Sequence, residues 1–218
     1  LPALLLGVAF ANIFQGLPLD AEGIFQGTLF TLLNPYGLLG GMLFVFLFLV
    51  HGAIWGAIKT DGDLQRRLVA VAGKCWWILL VTAVMFLLAT ERKTDLYLNY
   101  LAQPVLFVIP ALAVAALILI KFFLTKGQVW KAWFASATTI VACTMFGVIG
   151  LLARLLPTSL NPAYRLTALN TSSSPLTLKI MLGVALTFVP IVIGYQVWAH
   201  YLFREKLTEE DVSFEEGY

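Results

Sequence analysis

GLLGGMLFVFLFLVHGAIWGAI, residues 37–58, runs for 22 positions without a charge. As a helix rising 1.5 Å per residue it reaches about 33 Å, enough to cross a hydrocarbon core of roughly 30 Å. In lipid, a spanning segment must satisfy its own backbone N–H and C=O groups, which a helix does and an isolated strand does not. This stretch therefore reads as a transmembrane helix.

Similar runs lie on both sides of it. Leu68 to Thr90, with Lys74 inside, Leu101 to Ile120, Ala132 to Ala153 and Ile180 to Phe203 are each long enough to span. The opening stretch LPALLLGVAFANIFQG, residues 1–16, is too short for that and reads as the second half of a helix. The expected architecture is an all-α polytopic transmembrane bundle of about six segments, the first truncated, forming a single unit over residues 1–218. With no initiator Met and no basic leader, the chain reads as the C-terminal portion of a longer one.

Composition agrees with that fold. Hydrophobic residues make up 60% of the 218 and charged ones 12%, with mean hydropathy +0.89. A soluble globule would carry about twice that share of charge. The net charge of +2 sums 14 Lys and Arg with 12 Asp and Glu, nearly all between the apolar runs. No basic face with interleaved aromatics lies outside the membrane-flanking loops, so nucleic acid is not an expected partner. Cys75 and Cys143 each sit inside an apolar run, which argues against a disulfide framework and against a metal site.

Charge also orients the chain. Lys59, Arg66, Arg67, Lys74, Lys121, Lys126, Lys131, Arg204 and Lys206 fall on one side, against Arg92, Lys93, Arg154, Arg165 and Lys179 on the other. The richer side is expected to be cytoplasmic and to hold the C-terminus. The loops from Leu17 to Tyr36 and from Pro157 to Pro175 are expected on the outer side. Asn34-Pro35 and Ser174-Pro175 place a capping side chain before a proline and predict helix starts. Pro104, Pro110 and Pro190 fall near or within apolar runs, where kinks are expected.

Ionisable groups at mid-bilayer would betray chemistry, because burying them is costly. Every Asp and Glu lies in a loop, near a helix end or in the tail, so no carboxylate relay is predicted and no catalytic residue is assigned. His51, deep in its segment and followed by Gly52, Ala53 and Gly56, could bond across a tight helix contact, pass a proton or ligate a haem. Hydrogen bonding is the favoured reading. His200, beside Trp198 and Tyr201, fits an interfacial belt. A haem held from both imidazoles is conceivable, but nothing in the spacing demands it. Met42, Met85, Met145 and Met181 read as core fillers. Lys74 and Arg154 are expected to snorkel to headgroups, with a lipid or quinone head as the rival role. Asn12 and Gln15 read as links between helices, with a pocket lining as the rival. Asn34 joins these as an interhelix candidate.

Five strings carry a resemblance: LPALLLGVAFANIFQGLPL from Leu1, GTLFTLLNPYGLLGGMLF from Gly27, HGAIWGAIKTDGDLQRR from His51, SSSPLTLKIM from Ser172 and VPIVIGYQVWAHYLFREKLTEEDV from Val189. In that order they resemble subunit II of cytochrome bd-type quinol oxidases. The resemblance implies a prokaryotic plasma-membrane complex that takes electrons from quinol, reduces dioxygen to water and releases protons outside. It implies two haems b and one haem d, all ligated by a partner, subunit I, and in some cases a small accessory subunit. It also implies nine helices in a whole subunit, these being the last six, with acidic intramembrane residues and an aspartate-tryptophan motif in the N-terminal third. Asn34, Pro35, Tyr36 and Gly37 occupy the family's NPFG-like turn, with Tyr36 where Phe is frequent. His51 stands where some relatives have Gln, and some relatives hold a quinone tightly in a cleft. No haem-binding residue is carried over. The rival classes are one half of a secondary transporter, with proline-broken helices around a midplane site, and a structural or assembly subunit.

Overall fold

The computed structural model describes residues 1–152, 156–161, 163, 166–167 and 171–206. Helices dominate them: α1 (Pro2–Gln15), α2 (Leu29–Leu32), α3 (Pro35–Lys59), α4 (Gly62–Lys93), α5 (Leu98–Ala102), a 3-10 turn (Pro104–Phe107), α6 (Val108–Thr125), α7 (Val129–Gly150) and α8 (Pro175–Leu202). Among the described residues five helical stretches are long and apolar enough to cross a membrane, and α1 is shorter. The all-α polytopic reading holds.

The two proline starts form as the sequence predicts. Asn34 accepts the Gly37 N–H at 2.8 Å, and Ser174 accepts the Thr177 N–H at 3.3 Å. Pro35 and Pro175 follow at positions whose N–H would have no intrahelical acceptor. The kinks expected at Pro104 and Pro110 do not form. Pro104 opens the 3-10 turn and Pro110 lies in the first turn of α6, where a missing N–H breaks no ladder. The apolar run from Leu101 is thus divided, and the span, Pro104–Thr125, opens with the 3-10 turn that leads into α6. Pro190 alone of the three sits inside a helix, and α8 continues through it.

The bundle core lies where α3, α4, α6 and α7 meet. Val50 and Ile54 of α3 pack with Ala72, Trp76 and Leu79 of α4, Leu117 and Ile120 of α6 and Ala132 of α7. The Trp76 indole donates to the Leu117 carbonyl at 2.8 Å, which fixes α4 against α6. Outside this core the helices present large apolar side chains, among them Val81, Leu88, Ile118 and Val141. Lipid tails solvate such a surface as well as a protein core does. For that reason the methionines were misplaced by composition: Met42, Met85, Met145 and Met181 all face outward rather than filling the core.

Close helix contact depends on glycine, though not on the glycines that follow His51. A Cβ at Gly40 would stand 2.6 Å from the Ala11 Cβ and 2.8 Å from the Gly7 carbonyl oxygen, so α1 and α3 cross almost backbone to backbone. At Gly52 a Cβ would meet nothing within 4 Å, and at Gly56 only the Leu68 side chain. The tight contact expected beside His51 therefore lies three turns earlier along α3.

The loops after α1 and α7 are tied together. The Leu17 N–H donates to the Pro157 carbonyl at 3.0 Å and the Ser159 N–H to the Leu17 carbonyl at 3.0 Å. The Thr158 hydroxyl donates to the Leu19 carbonyl at 3.1 Å. Both loops thus lie at one end of the bundle. At the other end the close of α8 meets α3 through the Lys59 ammonium, which donates to the Phe203 carbonyl, and the segment after α8 meets the α3–α4 turn through a Lys206–Asp61 ion pair at 3.3 Å. None of the residues of α8 is buried.

Candidate functional site

Three polar constellations and one apolar cavity occupy the places where the sequence suggested function. The first joins Asn12 and Asn34. The Asn12 amide donates to the Val8 and Leu32 carbonyls, both at 2.7 Å, and its oxygen accepts from the Asn34 amide at 2.8 Å. Asn34 in turn donates to the Thr31 carbonyl at 3.0 Å while capping α3. Four backbone groups at the α1–α2–α3 junction are satisfied by two side chains. Beside this knot Tyr36 shares a hydrogen bond of 2.9 Å with Thr90 of α4 and stacks on Phe86, ring centroids 5.1 Å apart. Gln15 stands apart from it, lining a polar cavity of about 350 Å³ with Glu91, Arg92, Lys93 and Asp95.

The second surrounds His51. Its Nδ1 shares a hydrogen bond of 2.7 Å with Ser136 of α7, itself bonded to the Trp133 carbonyl at 2.8 Å. Ring contacts then run from His51 to Trp133 at 5.6 Å, from Trp133 to Trp55 at 5.6 Å and from Trp55 to His200 at 5.8 Å. His200 directs its own Nδ1 to the Gln196 carbonyl at 2.8 Å. The Trp133 indole nitrogen is buried with no acceptor among the described residues. This arrangement ties α3, α7 and α8 together at one end of the bundle.

The third lies where α4 meets α6. The Lys121 ammonium donates to the Gly73 carbonyl at 3.2 Å and stands 5.8 Å and 5.6 Å from the Trp76 and Trp77 rings. Lys74, the residue the sequence singled out, is exposed one position further along α4. Lys121 was counted only as a flanking charge. Its place at the helix contact depends on the register of α6 against α4, which no local pattern encodes. Arg154 lies outside the described residues.

The cavity, of about 200 Å³, opens between α1, α3, α4, α6 and α7. Phe10, Phe14, Phe44 and Phe48 line one side, Leu87, Pro110, Val114 and Ile140 the other. Thr144 and Cys143 supply its only polar side-chain atoms, and the Thr144 hydroxyl is spent on the Ile140 carbonyl at 2.9 Å. Such walls suit a hydrocarbon chain. No group of three or more His, Cys, Asp or Glu converges among the described residues.

A sequence model described as cytochrome bd terminal oxidase subunit II matches residues 1–203. The chain belongs to that family. It is 30% identical over 213 residues to the cytochrome bd ubiquinol oxidase subunit 2 of Bacillus subtilis, covering 97% of this chain and 62% of that protein. It is 29% identical over 245 residues to the cytochrome bd-I ubiquinol oxidase subunit 2 of Escherichia coli, covering 97% and 64%. A probable cytochrome oxidase subunit 2 of Haemophilus influenzae is 29% identical over 229 residues, 91% and 61%. The chain thus spans somewhat under two thirds of the length of these curated relatives. Within the family match, the Asn34–Gly37 turn is the point where the Asn12–Asn34 knot, the α3 start and the α1–α3 crossing coincide.

Proposed function

We propose that this chain acts as the non-haem-ligating subunit II of a quinol:oxygen oxidoreductase in a prokaryotic plasma membrane. Two haems b and one haem d, all held by subunit I, would supply the electron path from quinol to dioxygen. This chain packs against subunit I, with or without a small accessory subunit, and excludes water from that side. Its C-terminus is cytoplasmic. The family match across residues 1–203 is the observation that carries the reading.

The donor set bears on the haem assignment. His51 and His200 each commit Nδ1 to a protein partner, and Trp133 and Trp55 stand in the ring path from one to the other. Nε2 stays open on both imidazoles, but the two indoles packed between them leave no room for a porphyrin held from His51 and His200 together, and no step of the reaction is assigned to them. A quinone fits differently. The phenylalanine-lined cavity matches an isoprenoid tail, while the shortage of free donors there argues for a structural molecule rather than a reacting one. Asn12, Asn34 and His51 then act as interhelix bonds, and Gln15, Lys74 and Arg154 as candidates for contacts with headgroups.

The test is assembly. Coexpression with subunit I should give the reduced haem bands and quinol-dependent oxygen uptake, and a preparation lacking this chain should lose both. Intact haems and full activity without it would defeat the proposal.

A further inference from the structure

Lys121 is a cation in an unusual place. It belongs to α6 between Ile120 and Phe122, in a helix whose hydropathy marks it as a membrane span. Its ammonium is held by the Gly73 carbonyl and by the Trp76 and Trp77 rings, and Trp76 is itself locked by its bond to Leu117. One of three N–H donors is thereby used, and Lys121 makes no ion pair with a carboxylate among the described residues. The ammonium is fixed and still has hydrogen-bonding capacity facing the groove between α4 and α6.

The depth of this position defines what can meet it. Helix α4 has 32 residues, about 48 Å, so it projects roughly 18 Å beyond the hydrocarbon core. The excess is shared by both ends, marked by Asp63, Arg66 and Arg67 in the first turns and by Glu91, Arg92 and Lys93 in the last. Gly73 lies about 16 Å from the start of α4 and Lys121 about 6 Å from the end of α6, a depth from which the long lysine stem carries its ammonium to the headgroup boundary. Along α4, Trp77 is one turn beyond Gly73 and Lys74 is its chain neighbour, and both are exposed. A second ammonium thus stands on the same strip of lipid-facing surface, with an exposed indole, the usual companion of glycerol and headgroup, beside it.

We infer that Lys121, Lys74 and Trp77 form a binding site for the phosphate of an anionic phospholipid at the α4–α6 groove. Lys121 supplies the preorganised donors, Lys74 adds charge, and Trp77 covers the upper acyl chains. The lipid staples the two helices at the level where the protein core ends. This inference does not depend on the proposed oxidase role, because it concerns lipid retained by the chain and not turnover.

Native mass spectrometry of the chain, in the complex purified from its membrane and exchanged into vesicle-derived nanodiscs of equal phosphatidylglycerol and phosphatidylethanolamine, is the test. The wild type should retain phosphatidylglycerol above its share of the bilayer. Lys121→Gln should retain about fivefold less, the scale of one interfacial lysine against an anionic surface. Lys126→Gln removes the same charge from the same end, where Lys126 lies over Phe122, and should change nothing. Lys74→Gln, at an exposed position that cannot disturb packing, should give a smaller loss and keeps the test valid if Lys121→Gln does not assemble. No enrichment in the wild type, or equal losses for Lys121→Gln and Lys126→Gln, would overturn the inference. So would displacement of the lipid by millimolar inorganic phosphate, which would mark a free-anion site.

Discussion

Asn12 shows how one polar side chain inside a membrane bundle is made tolerable. It is 5% exposed, and all of its hydrogen-bonding directions along the helix junction are answered. Replacing it with Ala leaves the Leu32 carbonyl and the Asn34 amide short of a partner, a cost of about 1–3 kcal/mol. Thermal unfolding of Asn12→Ala in detergent should fall accordingly, and an unchanged midpoint would show the knot to be dispensable. Asp20 works by charge instead. The Ile24 N–H at 2.8 Å, the Gln26 side chain and the Glu22 N–H donate to its carboxylate and hold its pKa below the usual 3.8. A group with a depressed folded pKa contributes order above its unfolded pKa and loses it as pH falls through the folded value. Hydrogen exchange at Ile24, corrected for intrinsic rate, should therefore show protection at neutral pH that declines below about pH 4. Protection that survives at pH 2 would contradict this.

At the scale of elements, the crossing of α1 and α3 is the contact most sensitive to volume. Gly40→Leu drives a side chain into the Gly7 carbonyl and the Ala11 methyl, and overpacking of this kind costs about 1–3 kcal/mol, with more where backbone must move. Gly52→Ala, in open space on the same helix, should cost nothing beyond the noise of a thermal shift. Equal effects of the two would mean that the crossing is elsewhere. The helix starts were legible because their signal is local: Asn34 and Ser174 cap the third residue onward through atoms only a turn apart. The division of the run beginning at Leu101 was not, since Tyr100 is drawn into a buried contact, its hydroxyl donating to the Phe146 carbonyl of α7 at 2.7 Å. That tertiary bond holds the segment before Pro104 against α7, and the span starts only at Pro104.

For the molecule as a whole, the distribution of contact is uneven. Helices α3, α4, α6 and α7 share one core, whereas among the described residues α8 and the segment after it meet α3 and the α3–α4 turn near the close of α8, through His200, Phe203 and Lys206. A lipid-soluble photoactivated carbene, which inserts into C–H bonds without needing an ionised group, should label Leu186 heavily in the separately purified chain and Leu79, buried in the core, little. Protection at Leu186 in that preparation would mean that α8 folds back on the bundle. The linear chain alone makes legible the medium, the class of fold and nearly every span, because an uncharged run of more than 20 residues has few other ways to satisfy its backbone. It also carried the family, through ordered motifs. Packing in three dimensions settles which faces are core and which meet lipid, since both are apolar and neither period nor composition separates them. It likewise decided that Asn12 meets Asn34, that His51 meets Ser136 and that Lys121 meets Gly73. Each of those pairs joins residues 22 to 85 positions apart, and their meeting is set by helix register and crossing, quantities that no stretch of chain contains alone.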